Sequence, residues 1–382
     1  MAREIGIGVV GCGGMGRVVV KQVLEQDPRL KIRALFDPDP RSIAAGRDLF
    51  GADLPAVDDY AALLARKDID WVMIASWNCF HKEQTIAAFE AGKHVFCQKP
   101  LAITFDDCLA MQQAWKKSGK KFVIGFTLRF SPHYRKIKEL LDAGTVGRIV
   151  SFEFNETLAF NHGGYIMGDW RRLRQYAGTH LLEKCCHDID LANWFTGSMP
   201  ARVASFGGLD FFTPENEGYI AKLGKDKEGR PAFQTWGGLV MKNPFTGDKD
   251  IIDNQVAILE YLNGMRATFH TNCCAGIPER RMYILGTEGA IRANVLTGDI
   301  ETQRIGFDTQ LERVEPCASG GHGGGDEILA KELAATMLDG APPTVSLDAG
   351  LTSAGACFAM DEALDTGRVV DARPLWRQAG LL

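Results

Sequence analysis

Short apolar runs alternate with helical periodicities through the first 126 residues. Ile5–Val10 is an apolar run that ends in Gly11-Cys12-Gly13-Gly14-Met15-Gly16, and a helical stretch follows to about Gln26. Further strands are predicted at Lys31–Phe36, Trp71–Ala75, His94–Cys97 and Phe122–Phe126. Helices are predicted at Arg41–Phe50, Ala61–Ala65, Lys82–Ala91 and Phe105–Ser118. Strands separated by helices of this length form a parallel sheet through right-handed crossovers, so residues 1–126 read as a doubly wound α/β domain of the Rossmann type.

After Phe126 the pattern changes. A helix at Tyr134–Asp142, a strand at Ile149–Asn155 and a helix at His180–Phe195 lead into β-like segments at Val203–Leu209, Gln255–Tyr261, Arg266–Asn272, Met282–Leu285 and Ile291–Asn294. Turn signals such as Asn263-Gly264 and Thr297-Gly298 join them into a large, mostly antiparallel, open-faced sheet. Helices at Glu327–Leu338 and Ala349–Leu364 follow, and Tyr219–Lys249 reads as a polar, loop-like insertion at a sheet edge. The second domain, 127–382, is therefore expected to be α+β.

Composition narrows the class. A length of 382 residues agrees with two domains at ~150 residues each. With 48 acids against 43 bases, the net charge of −5 argues against a nucleic-acid or anionic-membrane partner, both of which need a basic surface. No CxxC pair occurs among the ten cysteines, no signal-like start is visible, and no run of ~18 apolar residues exists, so a cytoplasmic protein with reduced thiols is expected. Cys185 and Cys186 are expected to be small buried packing residues. Glycine is abundant, with 42 residues, which makes glycine placement informative.

The first cluster has a definite chemistry. Gly11 permits a tight turn, Gly13 lets backbone approach a pyrophosphate, and Gly16 lets the helix pack closely on its strand; the helix N-terminus then offers unpaired N–H groups to the anion. Asp37 ends the next strand, where a carboxylate accepts from ribose hydroxyls and repels a 2′-phosphate. NAD is expected rather than NADP, with Arg41 close enough in sequence to weaken that repulsion. Gly14 and Met15 of the loop, Ser76, Asn78 and His81 after the Trp71–Ala75 strand, and Gln98 and Lys99 after the next complete the expected cofactor contacts.

The segments Ser76-Trp77-Asn78-Cys79-Phe80-His81, Gln98-Lys99-Pro100 and Glu183-Lys-Cys-Cys-His187-Asp-Ile-Asp190 follow the glycine loop in order. With Arg129-Phe-Ser-Pro-His-Tyr134, Gly144-Thr-Val-Gly147 and Arg281-Met-Tyr-Ile-Leu-Gly286-Thr-Glu-Gly289, the chain resembles the Gfo/Idh/MocA oxidoreductases over essentially its whole length. That resemblance implies enzymes acting mostly on sugars and cyclitols, a nicotinamide cofactor across the Rossmann domain, substrate against the open face of the second sheet, and a homodimer or homotetramer. It places the family's active-site lysine at Lys99 and its Asp-x-x-x-His pair at Glu183 and His187. Gln98 stands where Glu is commoner, Glu183 where Asp is, and Cys185 where Gly is. These departures bear on substrate positioning more than on reaction type, because a carboxylate and an imidazole both remain.

The residues support this independently. Positions 183 and 187 share one helical face, so the carboxylate can orient the imidazole as a general base requires. Lys99 ends a parallel strand at the carboxyl edge of the sheet, where ligands of open α/β sheets bind. His187 is expected to take the hydroxyl proton of a ring secondary alcohol of a pyranose, sugar derivative or inositol while hydride passes to nicotinamide, with Lys99 holding the oxygen. Arg129, Tyr165, Trp170 and Arg171 are candidates to line the sugar site.

Competing functions are an NAD-retaining, glycoside-cleaving enzyme that uses transient oxidation, and a non-catalytic sugar or nucleotide sensor. His180, Glu183 and His187 share a helical face but lack the separated ligand pairs of a structural zinc site, so no metal is expected. Lys184 and Asp188 read as a helix-surface ion pair. The Gly320–Asp326 stretch reads as a connector whose Asp326 caps the next helix, the alternative being a loop that carries His322 or Asp326 to substrate. His81 has solvent exposure as the alternative to a cofactor contact.

Overall fold

The computed structural model describes residues 3–238, 240–314 and 321–382. Two compact units emerge, one of residues 1–131 with 324–354, the other of 132–323 with 355–382. The first unit thus runs past Phe126 to Ser131, and it takes in 324–354, which a division at residue 126 assigns to the second.

The first unit contains β1 (Ile5–Val10), α1 (Gly14–Leu24), β2 (Leu30–Phe36), α2 (Pro40–Phe50), α3 (Tyr60–Leu64), β3 (Trp71–Ile74), α4 (His81–Glu90), β4 (His94–Cys97), α5 (Phe105–Ser118) and β5 (Phe122–Ile124). The strands form one parallel sheet in the order β2-β1-β3-β4-β5. All four residues of β3 are buried, as a strand covered on both faces requires. Local signals set the helix ends: Thr104 accepts from the Asp107 N–H at 3.1 Å to start α5, Asp106 and Asp107 sit in its first turn, and Gly119 ends it at φ +63°. Because β1 pairs with β2 on one side and β3 on the other, the order reverses at β1/β3, the place where open α/β sheets bind ligands.

The second unit contains α6 (Pro132–Asp142), β6 (Ile149–Thr157), α7 (Phe160–Gly168), α8 (Arg174–Ala177), α9 (His180–Thr196), β7 (Pro200–Gly208), α10 (Tyr219–Leu223), β8 (Asn254–Tyr261), β9 (Arg266–Asn272), β10 (Arg281–Gly286), β11 (Gly289–Asn294), β12 (Asp299–Arg304) and β13 (Glu312–Val314). Then α11 (Gly325–Leu338) belongs to the first unit, α12 (Leu347–Thr366) gives its first part to the first unit and its second to the other, and β14 (Val370–Asp371) and α13 (Arg373–Gln378) close the second. Nine strands order as β13-β12-β11-β10-β6-β9-β8-β7-β14, antiparallel except for β6 with β9. Strict alternation shows in β8, where Gln255, Ala257, Leu259 and Tyr261 are buried and Val256 and Ile258 are exposed. The inner face meets α9: His180 Nε2 lies 3.2 Å from Thr271 Oγ1 and Lys184 pairs with Glu156 of β6.

The insertion between β7 and β8 differs from the expected polar loop. It holds α10 and buries Phe212, Phe233 and Phe245 in a small core of their own with Ile166, Met167 and Cys273. Its phenylalanines are far apart in sequence, so no periodicity announced them. Among the described residues no helix is long and apolar enough to cross a membrane.

Candidate active site

The glycine loop is shaped by close approach at two positions and left open at two others. Gly11 has φ +86°, and a Cβ there would stand 2.5 Å from the Ala75 carbonyl carbon at the end of β3; one on Gly16 would stand 2.2 Å from the Gly11 oxygen. A Cβ on Gly13 or Gly14 would meet nothing within 4 Å. Gly13 is the N-cap of α1 and no side chain caps it, so the first-turn N–H groups are presented to an anion. Met15 is exposed beside them. Asp37 Oδ2 accepts from the Cys12 N–H and Oδ1 from the Asp39 N–H, both at 2.8 Å, which fixes the carboxylate against the loop. Burial raises its pKa against the pull of those donors. Arg41 is drawn to Asp39 (Nη2–Oδ2 2.6 Å).

The loops after β3 and β4 are braced together. Buried His81 places Nδ1 2.8 Å from the Pro100 oxygen and Nε2 3.2 Å from the Ser76 oxygen, and burial lowers its pKa. It therefore ties Ser76 to the Lys99-Pro100 turn rather than facing solvent. Ser76 Oγ donates to Gln84 Oε1 at 2.5 Å, and Asn78, two residues on, is buried. Gln98 is buried, and its Nε2 has no hydrogen-bond partner among the described residues. Such a donor costs ~1–3 kcal/mol until an acceptor arrives. Lys99 is half-buried, and so is Arg129 on the turn Thr127–Phe130 of the same unit. Open Gly13 and Gly14, an uncapped helix start, a fixed acid at the β2 end and a buried donor without an acceptor all suit a dinucleotide.

In the second unit, Thr179 accepts from the Leu182 N–H to start α9, on which Glu183 and His187 are both buried. Arg171 holds the acid. Its Nε donates to Glu183 Oε1 at 3.0 Å, and its Nη1 donates to Asp169 Oδ2 at 2.7 Å and to Tyr165 Oη at 2.8 Å. The guanidinium lies over Trp170, 4.4 Å from the ring centroid. The structure therefore brings Tyr165, Trp170, Arg171, Glu183 and His187 into one neighbourhood, and turns Arg171 into the clamp on Glu183. Asp169, His162 and Trp236 belong to this neighbourhood and were not expected. Asp169 had a signal in its place beside Trp170-Arg171, whereas the other two have none at short range.

Two expectations are corrected. Asp326 does not cap α11: Gly324 does, and Asp326 lies in the first helical turn, where its charge still favours the dipole. His322, from the same stretch, has its ring 5.9 Å from that of His187; Gly320 lies outside the described residues. Lys184 and Asp188 are not a surface pair. Lys184 binds Glu156 at 3.1 Å, and buried Asp188 takes a bidentate contact from Arg280 at 2.8 and 2.7 Å. Glu156, Cys185 and Asp188 approach one another as metal ligands could, but Arg280 and Lys184 already supply the positive charge there. Cys185 and Cys186 are fully buried, and burial drives the Cys185 thiol well up.

A Rossmann unit with an open phosphate loop, paired with an α+β unit bearing a buried acid–imidazole helix, defines an NAD-binding oxidoreductase. Residues 5–126 match the oxidoreductase family, NAD-binding Rossmann fold, and residues 134–292 match the GFO/IDH/MocA C-terminal domain. The chain belongs to the Gfo/Idh/MocA family. It is 27% identical to 2,7-anhydro-N-acetylneuraminate hydratase of Escherichia coli over 76% of this chain and 68% of that one. It is 29% identical to inositol 2-dehydrogenase of Ralstonia nicotianae over 50% of this chain and 54% of that one. Levoglucosan dehydrogenase, solved with NADH and levoglucosan, has the same fold, with a TM-score of 0.78, 22% identity and 97% and 100% of the two chains covered.

Proposed function

We propose that the protein is an NAD-dependent dehydrogenase of a ring secondary hydroxyl, or reductase of the corresponding ketone, in a pyranose, sugar derivative or inositol. The observation that carries this is the Arg171–Glu183 contact, which fixes a carboxylate one helical turn from His187. Bound NAD supplies the hydride acceptor or donor. The chain's residues manage the proton and the oxygen: His187 takes the hydroxyl proton, Glu183 orients the imidazole, and the Lys99 ammonium holds the oxygen as charge develops on it. Gly11, Gly13 and Gly16 shape the pyrophosphate loop, and Asp37 selects NAD, since Arg41 is engaged by Asp39. Relatives named for an anhydrosugar acid and an inositol support the substrate class.

The enzyme is read as cytoplasmic and homo-oligomeric, two copies meeting through the outer face of the nine-stranded sheet. There Phe206 and Ile258, 66% and 58% exposed, lie on adjacent strands and are flanked by Arg202–Glu260 and Arg281–Glu153 pairs.

A panel of inositols, aldoses, anhydrosugars and glycosides with NAD⁺ and NADP⁺, followed by NADH or NADPH absorbance, tests the activity. Turnover with NAD⁺ on a ring alcohol is expected, falling about 100-fold or more in His187→Ala with NAD binding preserved. Near-normal turnover of that variant removes His187 from the role, and activity confined to NADP⁺ removes the reading of Asp37.

A further inference from the structure

The insertion between β7 and β8 carries an indole that the proposed reaction does not use. Trp236 is 47% exposed, although it lies three residues beyond fully buried Phe233. Its ring stacks on His162 of α7 with centroids 4.5 Å apart and planes at 28°, and tilts against Tyr165 at 5.7 Å. Tyr165 Oη accepts from Arg171, and Arg171 donates to Glu183. A continuous row of contacts within the second unit therefore runs from the exposed indole to the acid beside His187.

The support of this indole is over-determined. Phe233 holds a left-handed backbone at φ +66°, a strained state for a bulky residue. Its N–H donates to Asn161 Oδ1 at 2.7 Å, and its ring packs edge-on against Phe245 and Phe212. Glycines let α7 come close enough to hold it: a Cβ on Gly164 would stand 2.0 Å from the Phe233 oxygen, and one on Gly168 2.7 Å from that of Lys242. Burial, then nearby Lys184, pushes His162 down to about 3, so the ring that backs the indole is neutral and the indole presents a flat, uncharged face.

A flat uncharged aromatic surface fits the face of a pyranose that carries only C–H groups, leaving hydroxyls to polar neighbours. Arg171 is already balanced by Asp169 and Glu183, so the row offers no spare cation for an acidic sugar. Tyr165 and Arg171 stand between Trp236 and Glu183, so a ring on the indole is not the ring presented to His187. We propose that Trp236 forms a second carbohydrate subsite, and that the enzyme takes a neutral disaccharide or comparable glycoside, one ring at His187 and the other on the indole. This rests on the dehydrogenase reading for the first ring alone.

The test measures binding by calorimetry to the NAD-loaded protein, and kcat/KM where turnover occurs, for glucose, methyl glucosides and α- and β-linked glucose disaccharides. The wild type is expected to bind a disaccharide more tightly than its monosaccharide. Trp236→Ala should cut that advantage about tenfold, with Trp236→Phe retaining part of it. Leu223→Ala, on the exposed side of α10, serves as the control and should leave the ratio unchanged. No disaccharide preference in the wild type, or equal losses for both sugars in Trp236→Ala, overturns the subsite. A change of sedimentation in Trp236→Ala also overturns it, because the indole then belongs to a contact between copies. If no sugar is oxidised but the binding ratio behaves as stated, the dehydrogenase reading fails and the subsite stands.

Discussion

Gly13 and Gly16 sit three residues apart and are glycine for different reasons. At Gly16 the reason is folding, since a methyl would press into the Gly11 carbonyl; at Gly13 no protein atom would meet a methyl, which leaves that space to the proposed pyrophosphate. Gly16→Ala should therefore lower stability by about 1–3 kcal/mol in denaturant unfolding. Gly13→Ala should leave the unfolding midpoint in place and weaken NAD binding about tenfold or more by calorimetry. A loss of stability equal to that of Gly16→Ala would show that the space at Gly13 is not a ligand's. The close packing at Gly16 was legible in the sequence from its spacing and context, and the same spacing is what proposes Gly13 for the pyrophosphate. Trp236 was not: its meaning comes from His162, Tyr165 and Arg171, which only the folded chain brings near. Arg171 is a candidate from sequence only as a lining residue, and its task as a clamp depends on Asp169 and Glu183 arriving on either side.

Helix α9 shows what elements can and cannot announce. Its start and end follow from Thr179 and Gly197, and β1, β4, α5 and β9 were equally plain from apolar runs and capping residues. Its charged residues misled, since Lys184 and Asp188 at i,i+4 spacing fit a solvated face as well as a buried one. Partners from Glu156 on β6 and Arg280 before β10 make the buried face possible, and they are distant in sequence. Strand β12 was missed because it is mostly polar, with Ile300 and Thr302 alone turned inward. The cap of α9 has a second layer: the Thr179 hydroxyl donates to Asp361 Oδ2 of α12 at 2.6 Å, and burial pushes Asp361 up to about 7. A carboxyl raised in the fold loses stability as pH rises from its ordinary 3.8 through about 7, because the unfolded chain ionises first. Asp361→Asn removes that loss. Thermal unfolding should show no gain near pH 4 and a rise of at least about 3 °C at pH 8.5; an equal shift at both pH values would mean the carboxyl is not the cause.

At the scale of the molecule, one face of the nine-stranded sheet is covered by α9, and the other carries Phe206, Val256 and Ile258 between rows of paired arginines and glutamates. A surface whose acids and bases alternate is complementary to its own copy. Ile258→Arg should reduce the sedimentation coefficient to that of one chain without loss of circular-dichroism signal, and an unchanged coefficient would exclude this face as the contact. The open sheet was visible in the strand alternation, but the division of the chain was less so, because residues 324–354 look like the tail of the second unit and fold with the first. They close on it specifically: a Cβ at Gly325 would stand 2.4 Å from the Thr127 oxygen, and Gln112 Nε2 donates to Asp348 Oδ1 at 2.7 Å. The cofactor-binding unit therefore starts to emerge from the ribosome before the other unit and is finished only after most of that unit has been made. Its sheet can pair early, yet the helix that closes it is made only after nearly two hundred residues of the other unit have been synthesised. Throughout that interval the nascent chain holds an incomplete nucleotide fold, so bound NAD, which favours the completed form, would act during synthesis as a fastener on the last piece.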